Sequence, residues 1–275
     1  MGWRLSVLGL TFSLLGGCAS EPTLSTLIEQ RQVVEQRALG RFESGDLVNA
    51  AQNFRQAAQL AELADNRVAL VTNLVNLGAV EHQLGNHDAG LLAYERALRL
   101  AAMEQRADME LRAIAGLAEI NYGQGNRDVA KELYQQLIDH PAARGDSELQ
   151  IMALNGLALC LLDGNDTDAA ARYLARAEAL GETPATLLNR ATLELRRGEL
   201  AGAEKAARRA LELDRASGYV PGIASDLEVL GELSRLSGEE EEAHLYFTQS
   251  LSLYEQLGSP TAILRLRQRR DALSR

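Results

Sequence analysis

The chain has 275 residues, 46% of them hydrophobic but only 4% aromatic, and its 38 acidic against 28 basic side chains give a net charge of −10. Small aliphatic side chains must therefore do the packing, and the abundance of Ala, Leu, Glu and Arg favours helices over a sheet or barrel. The negative balance argues against a nucleic-acid binder held by phosphate contacts, and the apolar fraction is that of a folded chain.

The chain opens with one positive charge, Arg4, then the apolar run Leu5 to Leu15, then Gly16-Gly17-Cys18. That run is shorter than the roughly 20 residues a membrane-spanning helix needs, so it reads as a secretory signal. Its end, Leu15-Gly16-Gly17-Cys18, resembles the lipobox of bacterial lipoproteins, in which an aliphatic and two small residues precede an acylated cysteine. The resemblance implies a cleaved signal peptide over 1–17, a lipidated Cys18 and a short tether over 18–23. Only Arg4 is charged in the removed segment, so the net charge becomes −11. At about 0.8 kcal/mol per buried methylene, three acyl chains would anchor the protein permanently. Ala19, rather than Asp, follows the cysteine, which resembles lipoproteins sent to the outer membrane and implies a lipid anchor on its periplasmic face.

From Thr23 or Leu24 onward a helical pattern begins, and one motif recurs. Gly45-Asp46-Leu47 precedes Ala50, Phe54 and Ala57; Gly85-Asn86-His87 precedes Gly90, Tyr94 and Ala97; Gly125-Asn126-Arg127 precedes Ala130, Tyr134 and Leu137, with the glycines 40 residues apart. A fourth unit has Asn165-Asp166-Thr167 before Ala170, Leu174 and Ala177, its glycine displaced to Gly164. Gly198-Glu199-Leu200 follows at a spacing of 33 with Ala203, Ala207 and Ala210, and Gly238-Glu239-Glu240 at 40 with Ala243, Phe247 and Ser250. Such periodicity sets the architecture as a whole.

Each unit reads as a helix of about fourteen residues, a reversal at a Gly or Asn able to take a positive φ, and a second helix. Small residues let the pair approach, and Phe54, Tyr94, Tyr134 and Phe247 fill the gap to the next pair. One pair cannot bury its apolar stripe alone, so stacking supplies the core. Pro141, Pro184, Pro221 and Pro260 all fall between a second helix and the next first helix, where a missing amide costs little. The surplus over a minimal repeat follows the second helix, as in Ala97 to Asp108, which keeps helical periodicity and predicts longer second helices.

Upstream of the glycines stand Asn76-Leu77-Gly78, Gly116-Leu117-Ala118, Gly156-Leu157-Ala158 and Val229-Leu230-Gly231. Leu with a small residue, a turn, then small-xxx-aromatic-xx-small resembles the tetratricopeptide repeat over about residues 32–257. The resemblance implies an all-α, right-handed superhelix of about six helix pairs over 24–275, ending in a capping helix from about residue 261. In that cap Ile263, Leu264 and Leu266 are expected inward and Arg265, Arg267, Arg269 and Arg270 outward. A polar outer cap is what an open-ended stack requires.

Little in the chain points to catalysis. Cys160 is the only cysteine besides Cys18 and lies in an apolar helical stretch, where a thiol acts as a small hydrophobe. His82, His87, His140 and His244 show no metal-ligand spacing, and no phosphate-binding Gly-Lys-Ser/Thr occurs. Glu239 to Glu242 place negative charge at a helix N-terminus. The arginines near the C-terminus read either as a surface for an acidic partner or anionic lipid, or as partners of Glu along the helices. No cofactor, metal or nucleic acid is expected, and the protein is not expected to be an enzyme.

In tetratricopeptide superhelices the first helices line the concave face. The matching positions here are Asn76, Ala79 and His82; Glu119 and Tyr122; Asn155 and Leu159; Asn189 and Leu195; and Glu228, Glu232 and Arg235. The mixture of amide, apolar and acidic groups suits an extended peptide or partner helix. The lysines of the two-carboxylate clamp are missing from these positions. The expected role is a protein-interaction scaffold with a protein or peptide partner in the cell envelope. A pilotin or assembly factor for a pilus or secretion machine, and an adaptor of peptidoglycan enzymes, are the alternatives.

Overall fold

The computed structural model describes residues 23–273, and the regular structure there is entirely helical. Six pairs follow one another: α1 (Leu24–Glu43) with α2 (Leu47–Leu63), α3 (Arg67–Gln83) with α4 (His87–Met103), and α5 (Ala107–Gly123) with α6 (Arg127–Asp139). Next come α7 (Ser147–Asp163) with α8 (Thr167–Leu180), α9 (Pro184–Arg197) with α10 (Leu200–Ser217), and α11 (Val220–Leu236) with α12 (Glu240–Leu257), while α13 (Pro260–Ala272) closes the row. Cys18 and the signal segment lie outside the described residues.

Each helix packs on its neighbours in sequence, and α3 also meets α5, α5 meets α7, α7 meets α9 and α9 meets α11. The first helices thus form an inner row while the second helices splay outward, the arrangement of a helical-repeat superhelix.

Local sequence explains the breaks between helices. Gly85 has a φ of 77°, and the amides of Gly85 and Asn86 donate to the carbonyls of His82 and Glu81, both at 2.9 Å. These bonds satisfy carbonyls that the end of α3 leaves without a helical partner. Side chains then start the next helix: Asp46, Asn66, Asp146 and Asp166 each accept an amide three residues on.

The 40-residue spacing has a different origin from the one the pattern predicts. Helices α3, α4, α5 and α7 all have 17 residues, so the surplus is shared between first and second helices. Ala97 to Asp108 does not continue as one helix: α4 stops at Met103 and Gln105 turns the chain with a φ of 54°. Asp65, at 48°, does the same before α3. Helical periodicity runs through both turns because their left-handed residue is not glycine. The 33-residue spacing arises from α8 and α9, each trimmed to 14 residues.

Aromatic wedges hold the regular units together. Tyr94 of α4 sits between Gly78 of α3 and Gly116 of α5; a Cβ at Gly78 would come within 2.9 Å of its ring, and one at Gly116 would overlap it. Tyr134 of α6 seats in the same way against Gly156 of α7, and Phe247 of α12 against Gly231 of α11. All are buried, with fully enclosed alanines such as Ala57, Ala97, Ala130 and Ala243 around them. Interiors packed this closely have no room for an added methyl without movement.

The cap and the charges differ in part from expectation. Leu266 and Ala262 are buried under α13, but Leu264 is exposed, because it lies on the solvent side of a helix covered on one face only. Arg265 and Arg269 do not simply point outward: both reach Glu228 of α11, at 2.7 and 3.1 Å. Other arginines also reach beyond their own helix, as Arg96 of α4 to Glu62 of α2 and Arg190 of α9 to Glu178 of α8, while Arg209 pairs both with Glu182 of the α8–α9 loop and with Glu212 of its own helix.

Candidate interaction surface

The inner row brings Ala79, Glu119 and Leu159 to equivalent positions of α3, α5 and α7. Glu119 is solvent-accessible, yet the surrounding concave wall pushes its carboxyl above the usual carboxylate range, and no cation offsets the effect. Burial chiefly, and the Glu119 charge next, drive the Tyr94 and Tyr134 hydroxyls upward. An acceptor with a desolvated surround is thus ringed by aromatic groups. Such a site discriminates between donors more sharply than an exposed carboxylate.

A second cluster lies along the edge where first helices turn into second helices. Arg127, at the start of α6, stacks 4.6 Å over the ring of Tyr122 and donates to Asp163 of α7 at 2.7 Å. Tyr122 donates to the same carboxylate at 3.3 Å, and Arg196 of α9 approaches it at 3.5 Å. Burial first, and Asp163 second, push the Tyr122 hydroxyl up to about 12. One unit earlier, His82 and His87 occupy the places of Tyr122 and Arg127, their Nδ1 atoms 3.4 Å apart. Burial, then the neighbouring imidazole, lowers the His82 pKa, so the ring is neutral at physiological pH.

Other expected groove residues are placed differently. Asn155 is buried, donates to Thr186 at 2.9 Å and accepts from Asn189, also buried, at 3.4 Å. These three groups hold α7 to α9; the same register carries a polar link between α1 and α3, where Asn73 donates to Glu35 at 3.3 Å. Glu228 is likewise enclosed and taken by Arg265 and Arg269. Leu195 packs toward the α9–α11 core. Asn76 is half-buried on α3, while Arg235 is exposed and bound to Glu232 at 2.7 Å on its own helix. The surface that remains open therefore centres on His82, Glu119 and Tyr122.

The transfer of groove positions did not reveal Arg127, Asp163 and Arg196. The spacing of five residues across the turn, His82 to His87 and Tyr122 to Arg127, is the signal that joins them to the site. Burial pushes the Cys160 thiol up to about 11, so it stays protonated. Among the described residues no group of three or more metal-ligating side chains comes together, and no helix is long and apolar enough to cross a membrane.

Tetratricopeptide repeat family models match residues 71–102 and 182–256. No curated protein matches the chain. A tetratricopeptide repeat protein from Parabacteroides merdae is similar in structure, at 16% identity and a TM-score of 0.57, covering 90% of this chain and 100% of that one. PilF of Pseudomonas aeruginosa is similar at 16% identity and 0.58, covering 88% and 99%. The Rap conjugation gene regulator of plasmid pLS20 gives 12% and 0.65, covering 86% of this chain and 65% of its own. At these identities the likeness establishes the fold alone, a helical-repeat superhelix.

Proposed function

We propose that the protein is a non-enzymatic interaction scaffold, tied by an acylated Cys18 to the periplasmic face of the outer membrane, whose inner face receives an extended segment of an envelope protein. The observation that carries the reading is Glu119, an exposed carboxylate on the inner row with no salt-bridge partner among the described residues. An extended or helical segment with a basic or amide side chain complements it. The Rap regulator of plasmid pLS20, which shares the fold, is known in complex with the Phr* peptide.

The anchor rests on Leu15-Gly16-Gly17-Cys18 and Ala19. Thr23, the side-chain cap of α1, follows Cys18 by five residues. At about 3.5 Å per residue the tether reaches at most roughly 18 Å. The stack would then lie close against the membrane, and a partner in or near the inner leaflet fits that reach.

Assembly of a pilus or secretion machine is a second reading, supported by the resemblance in fold to PilF of Pseudomonas aeruginosa. Capture from detergent-solubilised envelope tests the main one: the full chain retains a specific protein and the Glu119→Arg variant loses it. Equal recovery by both variants, or mass spectrometry showing an unmodified Cys18, would contradict the reading in its respective part.

A further inference from the structure

At the opposite edge of the stack, where second helices lead into the next first helices, two carboxyl groups are buried without a cation. Asp214, near the end of α10, is 5% exposed, and Asp226, in α11, is 0% exposed. Asp214 shares the register of Ala61 and Ala101, and Asp226 that of Asn73, Ala113, Ala153 and Thr186. The oxygens of Asp226 have no partner apart from Asp214, with which Asp226 shares a hydrogen bond. Burial raises both groups, Asp226 to about 8 with the Asp214 charge adding to the effect, and no Lys, Arg or His enters the balance of either. At neutral pH the pair therefore keeps one proton and one negative charge.

An unpaired buried charge is costly unless something neutralises it. Asp214 lines a cavity of about 520 Å³ between the start of α9, the end of α10 and the start of α11. Its walls are largely apolar, with Leu188 half-buried and Pro221 and Tyr219, the latter 57% exposed, at the rim. The two serines of the cavity are already engaged, Ser217 with the Asp214 carbonyl and Ser225 with Tyr254. Asp214 is the one carboxylate among the residues that line it. A Cβ at Gly222 would overlap Oδ2, so the glycine lets the start of α11 pack against this carboxylate. The carbonyl end of α10 adds partial negative charge beside it.

We propose that this cavity binds an alkylammonium group, its aliphatic stem against Leu188 and Pro221, its cation on Asp214 and the face of Tyr219 at the mouth. Desolvated cations gain from an aromatic face, and one cation matches the single charge of the acid pair. The stem length separates this ligand from a bare metal ion, for which apolar walls offer no ligands. A lysine side chain of a partner protein and a free aliphatic amine share this chemistry. The site is separate from the inner face and stands or falls independently of it.

The test is an amide NMR titration of the ¹⁵N-labelled full chain with three probes: Nα-acetyl-lysine methylamide, n-pentylamine and the uncharged Nα-acetyl-norleucine methylamide. The two amines are expected to shift the Gly222 and Tyr219 resonances, and the norleucine derivative is not. Tighter binding of the lysine derivative assigns the site to a polypeptide side chain, and tighter binding of pentylamine to a free amine. Asp214→Asn should weaken binding at least tenfold, whereas Asp226→Asn, which leaves the Asp214 charge, should retain it. Leu188→Trp fills the cavity without touching either acid and should abolish binding as well. No shift with either amine, equal shifts with the norleucine derivative, or undiminished binding by Asp214→Asn and Leu188→Trp would overturn the proposal.

Discussion

Between α3 and α5 the gap is filled by Tyr94, whose ring presses on glycines of both helices; between α9 and α11 the same register holds Ala207. Around Ala207 lie Leu211, Leu227 and Leu230, while Asp214, Asp226 and Glu228 are buried acids of α10 and α11. The N-terminal units are thus held by large interdigitating side chains at a regular pitch. The junction of α9 with α11 relies on smaller apolar contacts, and the last pair, wedged by Phe247 against Gly231, adds charge at the cap, with Glu228 under two arginines. A solenoid is stabilised by its nearest-neighbour interfaces, so the two ends can differ in stability and pH response without any change of fold.

The strongest way to break this contrast is to remove a wedge. Tyr94→Ala should cost about 3–5 kcal/mol, the range for large-to-alanine changes in close-packed cores. Hydrogen exchange should rise in α3 to α5 well before α11 and α12, which urea unfolding alone cannot resolve in a repeat array.

Next in size is a pH effect confined to the other end. The folded state holds the Asp226 proton up to a pKa of about 8, against an ordinary value of 3.8. Between those limits the native chain binds more protons than the unfolded one, so stability falls as pH rises from about 4 to about 8 and levels off above. The slope is up to about 1.4 kcal/mol per pH unit. Asp226→Asn should flatten it, as thermal unfolding followed by circular dichroism at successive pH values would show. An unchanged slope would place the titrating group elsewhere.

A smaller loss tests the cap. Arg265→Ala should destabilise α13 by about 1 kcal/mol, because Arg269 still serves Glu228 and Arg265 is itself partly in water. Exchange of the α13 amides is the readout. The smallest effect has the opposite sign: Gln105→Gly should stabilise the chain by about 0.5 kcal/mol. It relieves a left-handed backbone strain of about 1–2 kcal/mol while adding freedom to the unfolded state. A rise in melting temperature checks it.

Much of this was written in the pattern of glycines. Six helix pairs, the positions of four prolines and the wedges Phe54, Tyr94, Tyr134 and Phe247 follow from residues whose backbone or bulk permits few alternatives. The turns at Asp65 and Gln105 were hidden, since a side chain that tolerates positive φ leaves no mark on hydrophobic periodicity. At the surface, Glu119 and Tyr122 were legible from register, whereas the burial of Asn155, Asn189 and Glu228 was not. Asn155 and Asn189 are held by hydrogen bonds across α7 and α9 and Glu228 by the arginines of α13, partners that a position carried over from a repeat pattern does not contain. Asp214 shows as a departure from Ala61 and Ala101 once the units are aligned, whereas Asp226 shares its register with polar Asn73 and Thr186 as well as with Ala113 and Ala153.

The central claim, that the inner face receives an envelope protein, is tested most directly by photocrosslinking in intact cells. A photoreactive residue at Glu119 is compared with one at the exposed outer-face position Leu92. The account predicts a discrete protein adduct from position 119 and none from position 92; adducts of equal yield from both, or from position 92 alone, would contradict it.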